Sequence, residues 1–218
     1  MGVQILLRQI EVPVGKHILL RNVSWEEFEA ILEELGDRRS PRLAYLDGML
    51  EIMAPLLEHQ YFKQAISIAI EDMAETLKLD YESYGSTTWR QRAKQAGLEA
   101  DNCFYFQNEA IVRGRLDINL AIDPLPDLAL EIDVTSKSLE RFPIYTRLGI
   151  PELWCYDAGT LTIYRLQKGQ YVEAEQSAIF PQLDIRSLPQ LIEVNRSAGR
   201  LALRRSVRTW VREQVGKG

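Results

Sequence analysis

The segment Pro126-Asp127-Leu128-Ala129-Leu130-Glu131-Ile132-Asp133-Val134-Thr135-Ser136 restricts the fold of this chain more than any other stretch. Strand side chains alternate between faces, so Leu128, Leu130, Ile132 and Val134 share one face while Asp127, Ala129, Glu131, Asp133 and Thr135 share the other. A helical pattern from about Leu139 to Leu148 follows, and a second strand pattern runs from Glu152 to Tyr156. Strand, helix and strand at this spacing predict a parallel crossover. The class is therefore α/β or α+β, with a central mixed β-sheet flanked by helices.

Other patterns agree with that class. Ser24-Trp25-Glu26-Glu27 is a capping box that opens a helix carrying Phe28, Ile31, Leu32 and Leu35, and Gly36 closes it. Leu43 to Leu46 and Leu50 to Met53 flank the hairpin dipeptide Asp47-Gly48, and Pro55 ends the second strand. Phe62, Ile66, Ile70, Met73 and Leu77 recur every three or four residues, which predicts a long helix from Leu57 to Lys78. After a polar stretch from Glu82 to Leu98, Asn102 to Gln107 reads as a strand. Thr160 to Leu166 and Gln170 to Ala174 form a further hairpin around Lys168-Gly169, and a helix closes the chain. No repeat or linker divides residues 1–218, so one domain is expected.

Composition removes several classes. With 46% apolar and 26% charged residues, the chain can bury a core and does not have the make-up of a disordered protein. Cys103 and Cys155 are far apart and have no ligand-spaced partners, so neither a disulfide framework nor a zinc module is expected. The longest apolar run, Ala65 to Ile70, is far short of the ~20 residues a membrane span needs. With no signal-peptide pattern at the N-terminus either, a cytoplasmic protein is expected. A net charge of −5 argues against nonspecific coating of nucleic acid. The charge is uneven: Arg196, Arg200, Arg204, Arg205, Arg208, Arg212 and Lys217 oppose only Glu213, which makes the tail +6 and the rest −11. That tail reads either as a phosphate-contacting or dimer-forming arm, or as a solvated helix face with Leu201, Leu203, Val207, Trp210 and Val211 packed inward.

The acids carry the chemistry. Glu131 and Asp133 lie two apart on one face of a strand that looks central, and burying like charges is costly unless a cation compensates. An edge strand with a wet face is the competing explanation. Asp101 precedes the strand beginning at Asn102 and can reach the same face from a neighbouring position. Four residues before Phe62, Glu58 falls on the inward side of the long helix. Oxygen ligands from Asp101, Glu131, Asp133 and Glu58 suit Mg²⁺ or Mn²⁺, and such a site suits in-line hydrolysis of a phosphodiester.

The runs Gly97-Leu98-Glu99-Ala100-Asp101-Asn102-Cys103-Phe104-Tyr105-Phe106, Pro126 to Ser136, Arg141-Phe142-Pro143-Ile144-Tyr145 and Leu148-Gly149-Ile150-Pro151-Glu152-Leu153-Trp154 together resemble a restriction-endonuclease family common in cyanobacteria. That family lies within the PD-(D/E)XK nuclease superfamily. The resemblance spans the nuclease core, about 42–166, and implies a restriction-endonuclease-like fold, magnesium-dependent phosphodiesterase activity and DNA as substrate. By position it implies metal-binding roles for Asp101 and Glu131, with Glu58 as a supplementary helix carboxylate. Two departures stand out. Ala100 replaces the usual Pro, and Asp133 occupies the place of the Lys that orients the attacking water. Arg141 is the first substitute cation and Lys137 the second; Arg stays protonated, so Arg141 can clamp a phosphate but not accept a proton.

His59 can orient Glu58 or touch a phosphate, although a lone His at a helix start is more often a capping or packing residue. The Trp89-Arg90-Gln91-Arg92-Ala93-Lys94 stretch reads equally as a base-stacking, phosphate-binding loop or as an edge hairpin with a buried Trp, and His17 has no partner at a recognisable spacing. The expected function is a metal-dependent DNA endonuclease with Glu58, Asp101, Glu131, Asp133 and Arg141 at its site, and a homodimer would supply one site per strand. The rival is a catalytically inactive nuclease fold that binds DNA or a protein partner.

Overall fold

The computed structural model describes residues 9–36, 41–120, 122–132 and 139–216. Strand β1 (His17–Arg21) leads into helix α1 (Trp25–Leu35), where the Ser24 hydroxyl and the Glu27 carboxylate cap each other's backbone amides. Trp25, Phe28 and Leu32 form its buried side, and Phe28 stacks on Tyr45 at 4.8 Å between centroids. β2 (Arg42–Leu46) and β3 (Met49–Met53) form the hairpin predicted at Asp47-Gly48. Its turn needs positive φ at both residues (46° and 83°), which is why an Asp-Gly pair stands there.

The long helix is α2 (Leu57–Leu77). Next come β4 (Glu82–Ser83), β5 (Thr88–Gln91), β6 (Ala96–Glu99), β7 (Asn102–Tyr105) and the short α3 (Glu109–Val112). β8 (Leu128–Ile132), α4 (Phe142–Leu148) and β9 (Glu152–Asp157) form the crossover, and β8 pairs with β9 in parallel as the spacing predicts. The hairpin β10 (Thr160–Gln167) and β11 (Gln170–Ala174) precedes α5 (Leu188–Asn195) and α6 (Arg200–Val215).

The strands divide between two sheets, where the sequence suggests one. A five-stranded antiparallel sheet has the order β1-β3-β2-β6-β5, and a six-stranded mixed sheet the order β11-β10-β9-β8-β7-β4. The polar stretch from Glu82 to Leu98 supplies β4, β5 and most of β6, because only Trp89, Ala96 and Leu98 need to face inward there. β8 lies in the middle of the mixed sheet. Its Leu128, Leu130 and Ile132 pack against Ile66, Ile70 and Met73 of α2 and Val207 and Val211 of α6, while Ala129 belongs to the opposite layer with Tyr145 and Leu148 of α4. The competing idea of a wet edge strand is thereby excluded, since Glu131 is 5% exposed. No helix among the described residues is long and apolar enough to cross a membrane.

The basic tail is largely a packing device. Leu203, Val207 and Val211 are buried, although Leu201, expected inward, is 63% exposed. Arg204 and Arg208 both reach the carboxylate of Asp72, which is fully buried on α2. Replacing Asp72 by Ala removes charge-assisted bonds from α6, so the urea midpoint is expected to fall by the equivalent of about 1–3 kcal/mol. The guanidiniums reach water, which keeps the loss at that level; an unchanged midpoint would show that the clamp contributes nothing.

Candidate active site

The mixed sheet brings the two strongest candidates to one centre. β7 and β8 pair Asn102 with Leu130, and the Asp101 amide donates to the Leu130 carbonyl at 3.1 Å. Asp101 stands one residue ahead of β7, and the charges of both Asp101 and Glu131 bear on the Tyr145 hydroxyl and the Cys103 thiol, which puts the two acids at one centre. Both are buried, at 1% and 5% exposure. Asp101 Oδ2 accepts the Ile132 amide at 2.7 Å, and Oδ1 accepts the guanidinium of Arg42 from β2. His59 on α2 places Nε2 3.1 Å from the same Oδ1, off the line of a hydrogen bond. Glu131 Oε1 accepts the hydroxyl of Tyr145 from α4. Burial, followed by the charge of Glu131, raises the Tyr145 pKa well above its ordinary value and keeps that hydroxyl a donor.

A third carboxylate closes the junction between the sheets. Glu51 on β3 is fully buried, accepts the Leu139 amide at 3.0 Å and pairs with Arg141 just ahead of α4. The Arg141 side chain is 10% exposed and meets Glu51 through Nη2, while its Nη1 has no hydrogen-bond partner among the described residues. Lys63, one turn beyond His59, donates to the Ser86 hydroxyl. Burial and then the nearby Arg42 lower its pKa, and Asp101 works the other way. Two of the three buried acids, Asp101 and Glu51, thus face guanidiniums supplied by the chain itself, while Glu131 accepts a tyrosine hydroxyl, and these partners make their burial tolerable.

The structure brings together Asp101 and Glu131 and sets Arg141 in the same wall, bonded to Glu51. Glu58 corrects the sequence reading: it is exposed in the first turn of α2, and the inward stripe begins at His59 and continues through Phe62 and Ile66. Helical spacing cannot separate two consecutive residues at the end of a stripe. The buried group that the Glu58 charge bears on is Tyr156, whose pKa rises to about 12, chiefly through burial. Asp133 and Lys137 lie outside the described residues. Sequence reasoning missed Arg42, Glu51, Lys63 and Tyr145, and ranked a capping or packing role for His59 above one beside Glu58 or a phosphate. An acid within the apolar run of β3 was the one available signal, at Glu51. Cys103 is buried beside this centre, and its thiol pKa is raised by that burial, which makes it a packing residue under Trp89 Nε1.

A mixed sheet covered by helices on both faces, with buried acids on and beside its central strands, is the architecture of a restriction-endonuclease-like protein. The chain belongs to the Uma2 family, described as "Putative restriction endonuclease", whose family model matches residues 25–204. Among solved structures, a "putative nuclease belonging to DUF820" from Anabaena variabilis is similar over 85% of this chain and 97% of its own, at 14% identity and a TM-score of 0.48. None of the curated proteins matches.

Arg42 is the interior cation of Asp101. Arg42→Met is expected to cost about 3–5 kcal/mol in urea unfolding, the scale for removing one partner of a buried ion pair. Adding Asp101→Asn should restore much of that loss; additive losses would mean that the two residues do not act as a pair.

Proposed function

We propose that this protein is a divalent-metal-dependent DNA endonuclease. The observation that carries the reading is the nearness of two buried acids, Asp101 just ahead of β7 and Glu131 on β8, whose charges bear on the same Tyr145 hydroxyl. Their hard carboxylate oxygens fit Mg²⁺ or Mn²⁺, and magnesium commonly uses one or two carboxylates and completes its shell with water and substrate phosphate. Among the described residues no group of three His, Cys, Asp or Glu side chains gathers at metal-binding spacing. A bound ion supplies an acidified water and stabilises charge on the phosphoryl oxygens.

The chain's own groups do the rest. The Ile132 amide fixes Asp101 and the Tyr145 hydroxyl fixes Glu131, so both acids keep their orientation without substrate. Arg141 is the candidate cation for a phosphate oxygen; as a permanent cation it clamps and does not take a proton. Lys63 is the other cation near Asp101. Asp133 assists Glu131, and Lys137 is the alternative clamp. Glu58, exposed, is left outside the buried set. Cutting both strands of a duplex calls for two sites, which a homodimer provides.

One feature favours the rival, a silent nuclease fold that only binds DNA or a protein: Arg42 already neutralises Asp101. Titration calorimetry with Mn²⁺, alongside plasmid cleavage in Mg²⁺, separates the two readings. The endonuclease reading expects Mn²⁺ binding that disappears in Asp101→Ala, and cleavage that falls at least a hundredfold in Glu131→Ala. Equal cutting by wild type and Glu131→Ala, or no Mn²⁺ binding by the wild type, would refute it.

A further inference from the structure

Of the cations Arg42, Arg141 and Lys63 at the seam, Lys63 alone is open to a ligand from outside. The guanidiniums of Arg42 and Arg141 are each committed to a buried carboxylate, and their side chains are 9% and 10% exposed. Lys63 differs on both counts. It stands on the face of α2 that carries His59 and Ser67, because helix residues four apart lie one above the other. This polar stripe runs along the start of β7: His59 lies beside the Asp101 carboxylate, and the Ser67 hydroxyl accepts the Asn102 side-chain amide at 2.9 Å. Between them Lys63 is half-buried, and its Nζ donates to the hydroxyl of the exposed Ser86 at 2.5 Å. Ser86 donates in turn to the Asp101 carbonyl at 3.4 Å. The ammonium therefore stands one hydroxyl away from the Asp101 main chain, on the solvent side.

The partner of this ammonium is a neutral hydroxyl, and among the described residues no carboxylate pairs with it. Burial and then Arg42 lower the Lys63 pKa, with Asp101 working the other way, so the group is short of negative charge. Asp101 is the acid that bears on it, and Arg42 already offsets that carboxylate, so an arriving anion meets no uncompensated charge there. A charge-assisted bond is roughly twice as strong as a neutral one, and the flexible four-carbon stem lets Nζ exchange a serine hydroxyl for a phosphate oxygen. We propose that Lys63, with the Ser86 hydroxyl beside it, holds a phosphate of the bound DNA at the Asp101 centre, supplying from α2 the cation that the sequence lacks at Asp133. The inference rests on the endonuclease reading for DNA as the ligand and goes beyond it by naming the accessible residue that meets the backbone.

The test is the salt dependence of DNA binding in EDTA, where no metal-dependent cutting occurs, read by the fluorescence anisotropy of a short labelled duplex oligodeoxynucleotide. A lysine that neutralises one phosphate contributes about 1 to the slope of log affinity against log salt. Lys63→Met keeps the stem and removes the charge; it should weaken binding at low salt and flatten the slope by about 1. Lys63→Arg should keep the wild-type slope, and so should Ser86→Ala, which removes the hydroxyl and leaves the cation. Lys168→Asn, at the turn between β10 and β11, is the control for an unrelated lost charge and should also keep it. Circular dichroism checks that the variants fold. A wild-type slope in Lys63→Met, or the same flattening in Lys168→Asn, would overturn the proposal. Equal losses in Lys63→Met and Ser86→Ala would do so too, since Lys63 would then act only by supporting the loop. No binding by the wild type would overturn the proposal and the DNA reading together. The expected slopes alongside equal cutting by wild type and Glu131→Ala would leave this contact standing and refute the endonuclease alone.

Discussion

One buried carboxylate joins the two halves of this architecture. Asp101 lies between β6 of the antiparallel sheet and β7 of the mixed sheet, bonded to Ile132 on β8 and Arg42 on β2, with His59 of α2 alongside. A charge removed from water in this way is costly on its own, and the guanidinium of Arg42 offsets that cost only while both sheets stay in place. Glu51 repeats the device a short distance away, tying β3 to Arg141 and the Leu139 amide ahead of α4. The seam between the sheets is therefore electrostatic, whereas the faces on either side of it are apolar. An acid-rich seam shielded by fixed cations is also where an exchangeable metal and a phosphate find complementary groups, so the interaction that holds the sheets together shapes the candidate site.

The same economy applies to the helix pair on the far face. Asp72 lies among the apolar residues of α2 and is matched by Arg204 and Arg208 from α6, so a run of arginines that looks like a nucleic-acid arm in the sequence is partly a fastening. Arg200 behaves similarly, lying over the ring of Tyr61 at 4.7 Å. The remaining arginines of this helix leave a basic surface, but the tightest positive positions point inward.

What the sequence made legible was whatever local periodicity controls. The alternation through β8, the capping box of α1, the Asp-Gly turn and the parallel crossover all appear in the structure, because each depends on neighbours along the chain. Asp101 and Glu131 were legible for the same reason, lying at predictable offsets within strand patterns. Arg42, His59 and Glu51 were not, because their roles arise only when elements far apart in sequence meet at the seam. The second sheet was hidden by polarity: in β5 and β6 a few inward residues suffice, and the rest of the stretch looks like a loop. Glu58 shows the limit of stripe arithmetic, since adjacent positions at a helix start differ by 100° and only tertiary packing decides between them.

The central claim is that Asp101 and Glu131 share one cation locus. Anomalous diffraction from crystals soaked in Mn²⁺ tests it most directly. The account predicts a single strong peak lying between these two carboxylates, with Arg42 withdrawn from Asp101 or sharing it. Crystals saturated with Mn²⁺ that show no peak there, or a peak only at surface acids, would contradict it.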